Sequence, residues 1–215
     1  AAPGIQRALL QRDSAREQAR HLATHDQLTG LANRVLFNDR LTQAVAAARR
    51  GRQVFAVLYL DLDGFRAIND ALGNVVGDGL LRGIATQVGA AIAETDTAAR
   101  LGGDEFAVSL TQLPSELEAA PVAARIVVSL ARPIPFAQRN VAATASIGIA
   151  TFPRDGVEPH ELVRKAETAM HHAKERGRNR YEFYAREMNA AVLRRVSIET
   201  RLRRALEERA LVLHY

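Results

Sequence analysis

The stretch Arg100-Leu-Gly-Gly-Asp-Glu-Phe-Ala-Val108, RLGGDEFAV, lies between two strand-like runs and sets two glycines and two acids inside apolar sequence. Gly102-Gly103 suits a tight hairpin, whose centre needs the positive φ that glycine adopts without strain. A hairpin alone does not account for the adjacent acids Asp104 and Glu105. Working outward, Ala98–Leu101 and Phe106–Leu110 form the two arms of the hairpin.

The rest of the chain alternates strands with helices. Asn33 is placed to cap a helix whose apolar face holds Leu36, Phe37, Leu41 and Val45. A strand, Val54–Leu60, ends in DLDGF, and a short helix from Phe65 to Leu72 follows. GNVVGDG reads as a glycine-rich break, and a helix runs from about Leu80 to Ala93. Pro114 opens a helix over Ser115–Ala131. Strands are expected at Val141–Ala145 and Ile147–Phe152, a helix at Pro159–Glu175 and a strand at Tyr181–Tyr184. Together these predict an α+β fold with a central mixed, mainly antiparallel sheet flanked by helices.

With 215 residues, 47% hydrophobic and 25% charged, the chain has the composition of a globular protein and ample length for a core. The formal net charge of +5 suits an anionic ligand as well as an ordinary solvated basic surface. The sequence contains no cysteine, which excludes disulfides and thiolate metal sites. Val54–Leu60 is too short to cross a bilayer, and the first ten residues show neither an initiator Met nor a signal-peptide pattern. Residues 1–24 read as a linker helix or coiled-coil stalk, 25–184 as the main domain, and 185–215 as a charged helix followed by a strand.

The second acidic cluster supplies a partner for the first. Asp61 ends a hydrophobic strand, and pairing of that strand beside the hairpin would bring Asp61 and Asp104 to one space. Two carboxylates that close repel, so they share a proton or a cation. Magnesium held by one or two carboxylates and phosphate oxygens is the usual solution at a phosphoryl-transfer site. Taken singly, each motif has a plainer explanation. DLD could be a solvated turn, GGDE a hydrophilic hairpin tip, and Asp78 a carboxylate facing a helix macrodipole. Lys174 and Gly177 could be a basic last turn and a glycine cap.

Taken in order, the blocks resemble the GGDEF family of diguanylate cyclases. They are DQLTGLANR (26–34), DLDGFRAIND (61–70), GNVVGDGLL (73–81), LGGDEF (101–106), SIGIA (146–150) and AMHHAKERGRN (169–179). The resemblance implies a sheet-and-helix fold similar to the palm of nucleotidyl cyclases. It also implies condensation of two GTP molecules into cyclic di-GMP with release of two pyrophosphates. By the same resemblance, Asp61, the carbonyl of Leu62 and Asp104 hold Mg²⁺ or Mn²⁺. Asp104 and Glu105 are then the catalytic acids, with Asp104 helping to deprotonate the attacking 3′-hydroxyl. Asn69 and Asp78 read the guanine edge, whose N1–H and N2–H₂ form a donor pair that a carboxylate accepts. Lys174, Arg178, Arg66 and the backbone at Gly64 and Phe65 face the triphosphate, and Asn74 lies at the substrate edge.

Several positions depart from the family pattern. Arg66 stands where Lys is common and binds phosphate as a planar fork. Asn74 replaces a frequent His, and His171 a frequent Tyr. The R-x-x-D product-inhibition motif reads Ala93-Glu-Thr-Asp96, and its missing arginine implies weak or absent feedback through this site. Residues 185–215 resemble the connecting helix and first strand of an EAL phosphodiesterase domain. Catalysis needs two domains face to face, so a homodimer set by the N-terminal helix is expected. A nucleic-acid partner is not expected, and a cytoplasmic location is, with any membrane link lying in a parent protein. The competing function is a GTP-binding regulatory module, weak or inactive as a cyclase, that biases an adjoining EAL domain.

Overall fold

The computed structural model describes residues 20–136, 139–186 and 188. The stalk over residues 1–19 and most of the segment 185–215 lie outside the described residues. Among the described residues from 34 on, the α-helices and strands follow in the order α1 (Arg34–Gly51), β1 (Val54–Leu62), α2 (Phe65–Leu72), α3 (Asn74–Ala90), β2 (Thr97–Gly102), β3 (Glu105–Leu113), α4 (Ala119–Leu130), β4 (Ile134–Phe136), β5 (Arg139–Val141), β6 (Ala145–Phe152), α5 (Pro159–Glu175) and β7 (Arg180–Phe183). The main sheet has the order β2-β3-β1-β6-β7, and β4 and β5 form a separate hairpin. All pairings in the main sheet are antiparallel except β6 with β7. The expected mixed, mainly antiparallel α+β fold is present.

β1 is central, and its run VFAVLYL is apolar at consecutive positions because both faces are covered. Ala56, Leu58 and Leu60 face one core, shared with Leu80, Ile84 and Ile126 of α3 and α4. Phe55, Val57 and Tyr59 face the other, shared with Phe37 and Leu41 of α1 and Met170 of α5. Asn33 caps α1 as expected, its side chain accepting from the N–H groups of Val35 and Leu36.

Four local readings are corrected. GNVVGDG is helical from Asn74, and Gly77 within it sits where Asn69 packs. Glycine there serves close approach, not chain breaking. Pro114 precedes a short 3₁₀ turn, Glu116–Glu118, and the α-helix starts only at Ala119. The strand expected at Val141–Ala145 ends at Val141, and the next begins at Ala145. The hairpin is also displaced by one residue. Gly102, with φ of 143°, pairs with Glu105 across a register shift, so Gly103 and Asp104 form the tip. The turn thereby presents Asp104 itself.

Candidate active site

The ends of β1 and of the β2–β3 hairpin meet at one edge of the sheet. Asp61 lies opposite Glu105 in the β1–β3 register, and the Leu62 N–H donates to the Asp104 carbonyl at 3.3 Å. Burial raises the pKa of the Asp61 carboxyl above its ordinary value, and the charges of Asp104 and Glu105 raise it further, against the opposing effect of Lys174. The sequence-predicted convergence of the two acidic motifs is therefore present, with Asp61 in electrostatic reach of both other carboxylates.

The parallel pair β6–β7 explains how cations reach this edge. Residue Ser146, at the start of β6, is level with Arg180 at the start of β7, and Asp61 is level with Ser146. The crossover through α5 must therefore deliver its C-terminal end beside Asp61. Lys174 arrives there and pairs with Asp61 at 2.7 Å. Arg178 follows, exposed, in the left-handed turn that links α5 to β7.

The α2–α3 corner brings together the two residues assigned to a base edge. Asn69 packs against Gly77, the neighbour of Asp78, and a Cβ at Gly77 would lie 1.8 Å from the Asn69 Oδ1. That oxygen is buried and lacks a hydrogen-bond partner among the described residues. A buried unpaired acceptor is costly and is relieved by a donor from outside. Asp78 is exposed beside it, as is Asn74 at the start of α3. Gly64, at φ of 72°, turns the chain into α2, so the backbone at Gly64, Phe65 and Arg66 forms the helix start. The Arg66 side chain is 96% exposed and 3.9 Å from Asp70.

Four anchoring residues were not singled out in the sequence. Asp63 accepts from the hydroxyls of Thr144 and Ser146, each at 2.7 Å, and from the Asn179 N–H at 3.1 Å. It ties the end of β1 to β6 and to the turn that bears Arg178. Arg100 spans two motifs, donating to Asp26 at 3.2 Å and to the Gly103 carbonyl at 2.7 Å. Arg34 lies 3.6 Å from Glu105. The Glu105 carboxylate also takes a hydrogen bond from Tyr59, whose phenol is pushed up by burial and by that carboxylate. Glu105 is thus held from the α1 side. The acids of DLDGF and DQLTGLANR were the available signals, but their partners lie far along the chain.

Among the described residues, no group of three or more His, Cys, Asp or Glu side chains is arranged to hold a metal by itself. Asp61, Asp104 and the Leu62 carbonyl could supply two carboxylates and a main-chain oxygen as a partial shell. Such a shell fits magnesium, which keeps several waters and completes its sphere with substrate phosphates.

A family profile, "Diguanylate cyclase, GGDEF domain", matches residues 23–180. The chain belongs to the GGDEF family. GGDEF domains require a divalent metal ion for catalysis. The chain is 47% identical over 194 residues to the bifunctional diguanylate cyclase/cyclic di-GMP phosphodiesterase MucR of Pseudomonas aeruginosa, covering 90% of this chain and 28% of MucR. It thus spans little more than a quarter of that relative's length. The GGDEF domain of P. aeruginosa TpbB superposes with a TM-score of 0.77 at 38% identity, covering 79% of this chain and 99% of that one. The coiled coil and GGDEF domain of DgcB from Caulobacter crescentus, solved with cyclic di-GMP, gives 0.76 at 32% identity, covering 84% and 96%.

Proposed function

We propose that this GGDEF domain is an active diguanylate cyclase, joining two GTP molecules into cyclic di-GMP and releasing two pyrophosphates. The observation that supports it most is the meeting of Asp61, Asp104 and Glu105 at one strand edge, with Asp61 under the charge of the other two. Asp61, Asp104 and the Leu62 carbonyl would hold the divalent ion, which supplies charge stabilisation at the phosphate and acidifies the attacking hydroxyl. Lys174 and Arg178 bind the triphosphate together with the α2 start. Asn69 and Asp78 accept from the guanine edge. Asp104 takes the proton of the ribose 3′-hydroxyl, and Glu105, clamped by Arg34 and Tyr59, positions the hairpin tip.

Each domain holds one GTP, so a homodimer must set each 3′-hydroxyl in line with the opposite α-phosphate. The resemblance of residues 185–215 to the start of an EAL domain suggests that a phosphodiesterase domain adjoins this one. MucR, whose name carries both activities, is in keeping with that arrangement. Residues 1–24, 25–184 and 185–215 are accordingly a stalk, a cyclase domain and a connector, working in the cytoplasm. Among the described residues no helix is long and apolar enough to cross a membrane.

Incubating the purified chain with GTP and Mg²⁺ while following both binding and product tests the proposal. Cyclic di-GMP should form and should fall by roughly 10²-fold or more in Asp104→Asn, the scale of lost acid–base and metal catalysis. GTP binding without product, in a preparation shown to be dimeric, would instead establish the regulatory module.

A further inference from the structure

A cavity lies at the opposite end of β1, β2 and β3 from the acidic edge, between α1 and the sheet. It has a volume of about 420 Å³ and is bordered by Arg40, Gln43 and Ala44 of α1, Thr97 of β2, and Ser109 and Thr111 of β3. The cavity opens where β1 and β3 part company. Their register shifts between Val54 and Ala56, and Gln112 adopts a φ of 55° at the same level. No residue of the catalytic edge borders it.

Its polar groups are under-used. Ser109 is 2% exposed, yet its hydroxyl has no hydrogen-bond partner among the described residues. Ser109 lies directly across from Thr97, and the Thr97 hydroxyl accepts from the Arg40 Nη1 at 3.2 Å. Arg40 forms no ion pair with any described carboxylate, so its fork has donors to spare. Ala44, Ala47, Ala48, Val54 and Phe55 form an apolar stretch of the wall, and the polar Gln53, Thr95 and Gln112 complete the lining.

A cavity of a few hundred cubic ångströms, mostly apolar and with a few convergent polar groups, is the usual form of a small-molecule site. One guanidinium beside hydroxyls offers compensation for one negative charge, and its planar fork matches a carboxylate. A doubly charged phosphate would be left half-neutralised against the alanine wall. We propose that this cavity binds a small organic monoanion, a carboxylate on a short apolar body. Its head lies between Arg40 and the Ser109–Thr97 hydroxyls, and its body lies along Ala44 and Ala47.

Phenylacetate is a suitable probe, with its neutral amide and inorganic phosphate as controls. Titrated into the isotope-labelled full chain, phenylacetate should produce saturable amide shifts confined to residues 40–55, 95–97 and 109–112. Phenylacetamide and phosphate should bind about tenfold more weakly or not at all. Arg40→Ala, at an exposed helix position, should weaken phenylacetate by about tenfold, and Arg40→Lys by less. Ser109→Ala should leave the free protein at least as heat-stable while reducing the affinity, a combination that a purely structural serine does not give. Absence of saturable shifts, equal binding of acid and amide, or undiminished binding by Arg40→Ala would each overturn the proposal.

Discussion

At the scale of single residues, the neighbours of the proposed ligand groups decide as much as the groups themselves. Gly77 is the clearest case, since a methyl group there must displace the Asn69 amide. Gly77→Ala should therefore weaken GTP binding by about tenfold, the cost of one lost hydrogen bond to a buried acceptor, while the domain still folds. Equilibrium binding of GTP to both proteins checks this. Asp26 offers a pH test away from the acids. Burial would raise its carboxyl, but the hydrogen bonds from Thr29 and the Arg100 charge prevail and hold it below the ordinary carboxylate range. Its folded pKa is thus lower than its unfolded one. The stability it contributes is present above the unfolded value and is lost as pH falls through the folded one. Asp26→Asn should lower stability at neutral pH by roughly 1–3 kcal/mol. The difference from wild type should shrink in acid, as denaturant titrations at several pH values would reveal.

At the scale of elements, the packing of α5 on β6 carries the cations to their place. A Cβ at Gly148 would stand 1.9 Å from the Ala166 carbonyl oxygen and 2.2 Å from the Met170 nitrogen, both main-chain atoms of α5. Neither can swing aside. Gly148→Ala should cost at least about 3 kcal/mol, whereas Gly89→Ala, where a Cβ on α3 meets nothing within 4 Å, should gain roughly 0.5–1 kcal/mol. Thermal melts of the two variants should move in opposite directions. The turn before β2 gives a further test. The Asp96 carboxylate accepts from the N–H groups of Ala93 and Thr111, bracing its own turn. With alanine at 93, cyclisation should persist at product concentrations that fill an arginine-bearing site, and a progress curve in added cyclic di-GMP would measure this.

At the scale of the whole molecule, a reaction that joins two bound nucleotides requires two domains. Turnover per domain should rise with protein concentration and level off as the dimer forms, with sedimentation in a GTP analogue following the same curve. Much of this architecture was legible in the chain. The apolar run of β1, the Asn33 cap and the α5 span could be read because burial period and capping are local properties. The roles of Asp63 and Arg100 could not, since each is settled by a partner dozens of residues away, and the hairpin displacement and the helical GNVVGDG turn on glycines whose local sequence fits a turn equally well. Glycine was the most misleading residue. It signals permissiveness, and the sequence does not say whether the chain uses that for bending or for contact.

Arg100 has one further consequence. Its guanidinium grips the loop at Asp26 and the carbonyl of Gly103 together, and its own N–H is pinned to Ala32. One side chain thus ties the acidic tip to the loop at residue 26, so Arg100→Ala would free two segments at once and not the tip alone.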